Sequence, residues 1–428
     1  MRRIFLLFAL PSLIAAAEQP GVNYDESKIA PYTLPDPLVC ADGTKVTDAK
    51  TWSEKRRAEV LELFRANMHG RSPGRPPEMK FTVTSTEPRA LDGLATRKEI
   101  TVTFSDDKEA PPMRVLLYVP NAAKKPVPAF VGVNFDGNHS IHTDPGITVA
   151  EQWTWDGKTK TESLAKPDES TRGKSTGRWP IEMILKRGYA VATIARAEIE
   201  PDYPDGWKHG IRGYFLKKSG RLEFAPDDWG AIAAWAWGLS RALDYLETDP
   251  GIDAKRVAVI GHSRMGKAAL WAGASDERFA MVISNNSGEG GAALARRWFG
   301  ETTAIINDHF PHWFCGNFKK FGGHESEMPF DQHELLALIA PRPLYVASAE
   351  DDRWSDPRGE FLSAKAAGEV WRLFGKEGVS VDAMPPVNQP VGASVGASVG
   401  YHIRTGKHDV TDYDWEQYLA FADRHFQK

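Results

Sequence analysis

The stretch RVAVIGHSRMGKAALWAGA (residues 256–274) decides how the rest of the chain is read. Val257–Ile260 is a short apolar run of strand length, closed by Gly261, and from about Gly266 a second apolar run has helical length. A strand that turns sharply at Gly261-His262-Ser263 into a helix lifts a serine hydroxyl above a sheet, as in a nucleophile elbow. The helix start places N–H groups and a positive dipole end where an oxyanion would form. The G-x-S-x-G form is not met: Met265 stands second after Ser263, and glycine comes one residue later at 266.

Outward from the elbow the chain alternates strand and helix. IEMILKRG reads as a helix, YAVATIAR as a strand, 228–247 as a helix, and FAMVISNNS and PLYVASAE as buried strands. Helices follow at GEFLSAKAAGEVWRLFG and YDWEQYLAFADRHF. Such alternation predicts an α/β fold, a mostly parallel sheet between two layers of helices. Upstream, TWSEKRRAEVLELFRANMHG predicts a helix stopping at Gly70, and FTVTS, KEITVTFS, MRVLLYVP and PAFVGVNF predict strands. Residues 136–180 are polar and rich in Gly and Thr around Trp153 and Trp155, which predicts a long functional loop or lid. VGASVGASVG (391–400) reads as a small duplicated loop insertion. Residues 18–428 are expected to form one catalytic domain with an N-terminal extension and inserted loops.

The 428 residues are 42% hydrophobic and 26% charged, enough for a large core. A net charge of -4 gives no electrostatic basis for binding nucleic acid. At the N-terminus, Arg2-Arg3, the apolar run 4–14 and Ala15-Ala16-Ala17 have the form of a cleaved signal peptide over residues 1–17. A secreted or periplasmic protein, not held in a membrane after cleavage, is expected, with a monomer as the default state. Fourteen tryptophans are compatible with a buried core or with rings exposed at a sugar or aryl site. Cys40 and Cys315, the only cysteines, leave pairing open and exclude a cysteine-based metal site. No HExxH or comparable spacing occurs, so no metal site is expected.

A serine nucleophile needs a base, and the base an orienting acid. His408, in the polar loop TGKHD before the last helix, is the preferred base. His402 in YHIR reads as structural, and His425 on an amphipathic helix as solvated. After the strand LYVAS stand Glu350, Asp351, Asp352 and Asp356; Asp352 is the first choice as acid and Glu350 the second. The alternative acid position, after the strand ending in NNS, holds Asn286, which carries no charge, with Glu289 displaced from it.

GHSRMGKAALWAGASDERFA followed by SNNSGEGGAALARRW resembles the glucuronoyl esterases, carbohydrate esterase family 15. FPHWFCGNF, PFDQHELLALIAPRPLYVAS, DRWSDP and TGKHD follow in that family's order, so the resemblance covers about 255–415. It implies an α/β-hydrolase that cleaves esters between (4-O-methyl-)glucuronic acid of xylan and lignin alcohols, without metal or cofactor. It carries over Ser263 as nucleophile, His408 as base and Arg264 as oxyanion donor. Lys267, Glu301 and Trp354 match positions that contact the uronate sugar. Fungal members have Glu where Asn286 stands, which moves the acid to the later strand, and their disulfide set is absent. Another secreted carbohydrate esterase, such as an acetyl xylan esterase, or a non-catalytic carbohydrate binder are the competing readings.

Overall fold

The computed structural model describes residues 21–124, 126–392 and 397–426. The expected leader at 1–17 and part of the VGASVGASVG repeat lie outside the described residues. The strands are β1 (Lys80–Ala90), β2 (Ala95–Thr103), β3 (Met113–Pro120), β4 (Val127–Asn134), β5 (Gln152–Asp156), β6 (Thr161–Ala165), β7 (Ala190–Ala195), β8 (Ile252–His262), β9 (Met281–Asn285), β10 (Leu344–Ala349) and β11 (Val399–Arg404). All but β5 and β6 join one sheet in the order β1-β2-β3-β7-β4-β8-β9-β10-β11. Pairing is antiparallel from β1 to β7 and parallel from β7 to β11.

The apolar run of β8 is continuous because both faces of the sheet are covered. Val257 and Val259 enter one core layer and Ala258 and Ile260 the other. β4 does the same, with Ala129, Val131 and Val133 on one side and Phe130 on the other. Helices α1 (Ala231–Leu246), α2 (Arg264–Ser275) and α3 (Pro357–Leu373) cover the first face. Helix Ile181–Lys186 and α4 (Asp412–Phe426) cover the second through Ile181, Ile184, Trp415, Tyr418 and Phe421. The architecture is the three-layer α/β arrangement that the strand–helix rhythm predicts, in the α/β-hydrolase form that the resemblance implies.

The tract 136–180 departs from the expected loop. β5 and β6 within it pair as an antiparallel hairpin, Gln152 opposite Ala165 and Asp156 opposite Thr161. The alternating QWTWD and TESLA, joined by Gly157-Lys158-Thr159-Lys160, carry the period-2 pattern of a hairpin, a signal hidden by their polar residues. Trp153 stacks on His209 at 3.6 Å between ring centroids, and Trp155 lies nearly parallel to Tyr203 at 5.8 Å. The tryptophans divide between the two readings: Trp52, Trp235, Trp371 and Trp415 are fully buried, whereas Trp155 and Trp298 are 42% and 49% exposed. Cys40 and Cys315 are separate buried thiols. His425 is not simply solvated but packs edge-on against Phe421 at 4.5 Å. Among the described residues no helix is long and apolar enough to cross a membrane.

Candidate active site

Ser263 is the N-cap of α2, with φ 57° and ψ −130°. A non-glycine residue in this region costs of order 1–3 kcal/mol and persists only where its surroundings hold it. Three bonds do so: Ser263 N donates to Asn285 O at 2.9 Å, and Gly266 N and Lys267 N donate to Ser263 O at 2.8 and 3.2 Å. The turn also demands glycine at 261, because a Cβ there would lie 1.9 Å from Met265 O. At Gly266 a Cβ would press on Ser287 Cβ at 3.0 Å, so the glycine that comes one residue late still permits the close approach of helix to sheet. Met265 itself is buried in the core.

β10 ends in the turn that carries Asp352, and β11 leads into the loop that carries His408. The parallel pairing of these strands brings the two side chains together. His408 Nδ1 lies 2.6 Å from Asp352 Oδ2, and a carboxylate accepts only, so Nδ1 bears the proton and Nε2 is the basic nitrogen. Asn286 Nδ2 donates to the same oxygen at 2.7 Å, so the residue at the alternative acid position buttresses Asp352. Burial would push the Asp352 carboxyl up, but the bonds from His408 and Asn286 outweigh it and hold it below the usual range. Glu350 and Asp351 are exposed. Asp356 caps α3 through Gly359 N and pairs with Arg297, and Glu289 accepts from Thr303 Oγ1 at 2.6 Å. His402 sits between Asp414 and the Tyr345 hydroxyl, at 2.8 and 3.0 Å, as a structural residue.

The imidazole of His408 lies 4.5 Å from that of His262, which directly precedes Ser263. His262 Nδ1 donates to Asn285 Oδ1 at 2.7 Å, and burial, with His408 nearby, drives its pKa far below the ordinary value. His262 is therefore a neutral platform beside the loop histidine.

Arg264 turns onto a buried carboxylate. Its Nη1 donates to Asp202 Oδ2, and its guanidinium lies 4.9 Å from the centre of the Trp313 ring. Asp202, 1% exposed at its side chain, also receives Arg196 Nη1 at 2.6 Å, His312 Nε2 at 2.9 Å and Trp313 Nε1 at 2.8 Å. Burial opposes its charge, but these partners outweigh that and depress its pKa strongly. Two guanidinium groups on one carboxylate leave the cluster net positive. Sequence reasoning missed Asp202. It lies in the turn-rich PDYPDGW, whose residues announce only a loop, and no spacing links it to Ser263.

Lys267, Glu301 and Trp354 are brought together. Lys267 Nζ donates to Ser287 O at 2.6 Å and lies 3.9 Å from Glu301 Oε2. Glu301 N donates to Trp354 O at 2.9 Å. Burial lowers the pKa of Lys267 and raises that of Glu301, each against the pull of the other's charge. Trp354 is half-buried. Among the described residues no cluster of three His, Cys, Asp or Glu side chains could hold a metal ion.

A family model described as glucuronyl esterase, fungi, matches residues 222–375. The structure of a glucuronoyl esterase from Solibacter usitatus is 54% identical, covers 94% of this chain and all of that one, and superimposes with a TM-score of 0.88. A promiscuous CE15 esterase from a marine bacterial metagenome is 49% identical over 95% of this chain and all of that one, with a TM-score of 0.87. A 4-O-methyl-glucuronoyl methylesterase of Phanerochaete carnosa is 29% identical over 87% of this chain and 81% of its own.

Proposed function

The chain belongs to the glucuronoyl esterases of carbohydrate esterase family 15, and on that premise we propose that it hydrolyses esters of (4-O-methyl-)glucuronic acid. The observation that carries this reading is the union of a strained serine at a strand–helix turn with a histidine–carboxylate pair and a buried Lys267–Glu301 pocket. Ser263 Oγ attacks the C6 carbonyl while His408 Nε2 takes its proton, and Asp352 holds the imidazole in the required tautomer and stabilises the imidazolium. Ser263 O takes the N–H groups of Gly266 and Lys267, so those of Arg264 and Met265, at the very start of α2, receive the oxyanion. The Arg264 guanidinium, set by Asp202, adds positive charge there, and a charge-assisted bond is roughly twice as strong as a neutral one. His408 then protonates the leaving alcohol, and water repeats the sequence on the acyl-enzyme.

An esterified uronate carries no charge, so Lys267 and Glu301 act on hydroxyls, one donating and one accepting, while Trp354 offers a ring face. Glucuronoxylan esterified to lignin alcohols is the natural source of such a bond, and release from the cell through the 1–17 leader would bring the enzyme to it. The proposal is tested by turnover of methyl glucuronate esters by the wild type and by Ser263→Ala: activity abolished in the variant supports it, and activity retained refutes it.

A second reading has an observation of its own. One relative of 49% identity is described as promiscuous, so simple acetyl esters are also expected to turn over, at lower kcat/KM than uronate esters.

A further inference from the structure

A buried carboxyl that takes no part in the chemistry lies beneath the site. Glu360, in the first turn of α3, is wholly buried. Its Oε1 accepts from Ser287 N at 2.8 Å, from Gly288 N at 3.0 Å and from Ser287 Oγ at 3.3 Å. Its Oε2 lies 2.6 Å from Ser348 Oγ on β10. Burial pushes the Glu360 carboxyl up to about 8 against these donors, and the charge of Asp352 adds to the rise. An apolar side chain of the same shape would fill this space without that cost, so what the carboxyl contributes is its bonds.

The bonds fall on one short turn. Asn286 (φ 46°) and Gly288 (φ 58°) are both left-handed, so the chain leaves β9 in a turn that no strand or helix ladder holds. The N–H groups of Ser287 and Gly288 find their acceptor in Glu360. That turn serves two parts of the site. Asn286 Nδ2 holds Asp352 Oδ2 at 2.7 Å, and Ser287 O receives Lys267 Nζ at 2.6 Å. It is also wedged against the acid loop, where a Cβ on Gly288 would lie 3.1 Å from Ser355 Cα. The acid and the buried lysine thus lean on neighbouring residues of a turn whose amides end on one carboxyl oxygen.

We propose that Glu360 is a positioning residue for the hydrolysis, setting the turn 286–288 so that Asn286 aligns Asp352 and Ser287 aligns Lys267; this rests on the functional reading above. It acts through those two residues and not by contact with the ester. Loss of the acceptor therefore has a double signature. Proton transfer at His408 slows for any ester, whereas binding weakens only for an ester whose sugar reaches Lys267.

The test uses the full chain with methyl glucuronate and 4-nitrophenyl acetate, active sites being counted by titration with a serine-reactive phosphonate. Glu360→Met, similar in shape and without an acceptor, is expected to lower kcat per site by about 10–100-fold on both esters. It should raise KM by about three-fold or more on the glucuronate alone, and that rise should vanish in a Lys267→Met background. Glu360→Gln keeps an acceptor for the two amides and is expected to stay within about three-fold of wild type. A mere packing role would lower the number of titrated sites and leave kcat and KM per site unchanged, which overturns the proposal. So does a KM rise shared by both esters or kept without Lys267, or Glu360→Gln as impaired as Glu360→Met. If Glu360→Met does not fold, Glu360→Asp, which withdraws the carboxyl by one methylene, decides by the same split. Wild type inactive on the glucuronate overturns the functional reading instead, and the rate of phosphonate labelling at Ser263 still decides Glu360.

Discussion

Arg264 Nη1 donates to Asp202 Oδ2, so the residue that follows the elbow serine is held by a buried carboxylate 62 positions earlier in the chain. The guanidinium is thereby fixed in direction while Arg196 keeps the cluster positive. A donor aimed in advance is worth more than a mobile one, since no reorganisation is needed as charge develops.

Asp202→Asn keeps the shape and removes the charge. It should lower kcat by about 10–100-fold with KM changed by less than about three-fold, because it misdirects an oxyanion donor and leaves the groups that hold the sugar in place. In an Arg264→Ala background the same substitution should cost much less, since the two act as a unit. Equal losses in both backgrounds, measured by steady-state kinetics, would remove Asp202 from the oxyanion site.

Asp352→Asn leaves His408 without a charged acceptor and permits the wrong tautomer, so kcat should fall by about 10⁴. Glu350→Gln, at an exposed position, should stay within about two-fold of wild type. The reverse ranking would transfer the acid to Glu350.

Lys267→Met and Trp354→Ala should lower kcat/KM on a glucuronate ester by about 10–100-fold and on 4-nitrophenyl acetate by less than about three-fold, because the small acyl group never reaches them. Parallel losses on both substrates would mark the two side chains as packing residues.

His69 makes a stability prediction. It is wholly buried, stacked on Trp271 at 4.2 Å, and burial pushes its pKa down to about 3. Between pH 6.5 and 3 the unfolded chain therefore binds more protons at this residue, so stability is full above 6.5 and falls as pH drops, by ~1.4 kcal/mol per unit. His262 and His402, also depressed by burial, add slopes of the same sign. Urea unfolding at pH 7 and pH 5 should show His69→Phe losing ~2 kcal/mol less than wild type over that interval. An identical loss would mean that His69 is protonated without cost in the folded chain.

The fold was legible because β8, β4 and β7 are apolar on both faces, a pattern that only a sheet covered twice requires, and because the intervening helices have the matching length. The elbow was legible from Gly261 and Ser263, whose local geometry depends on neighbours in the chain. His408, Asp352, Lys267, Glu301 and Trp354 could be nominated from motifs and are brought together by the parallel strand order. The hairpin β5–β6 was hidden because its alternation involves polar residues that read as loop. Asp202 was hidden for another reason: its partners Arg196, Arg264, His312 and Trp313 come from separate segments, and only the folded chain places them around one carboxylate.

The central claim is tested most directly by kcat/KM of the purified chain on benzyl glucuronate, measured beside 4-nitrophenyl acetate and an acetylated xyloside. Strong preference for the uronate ester, abolished in Ser263→Ala, is the expected result. Preference for the acetyl esters would contradict the assignment of Lys267, Glu301 and Trp354 to a uronate pocket.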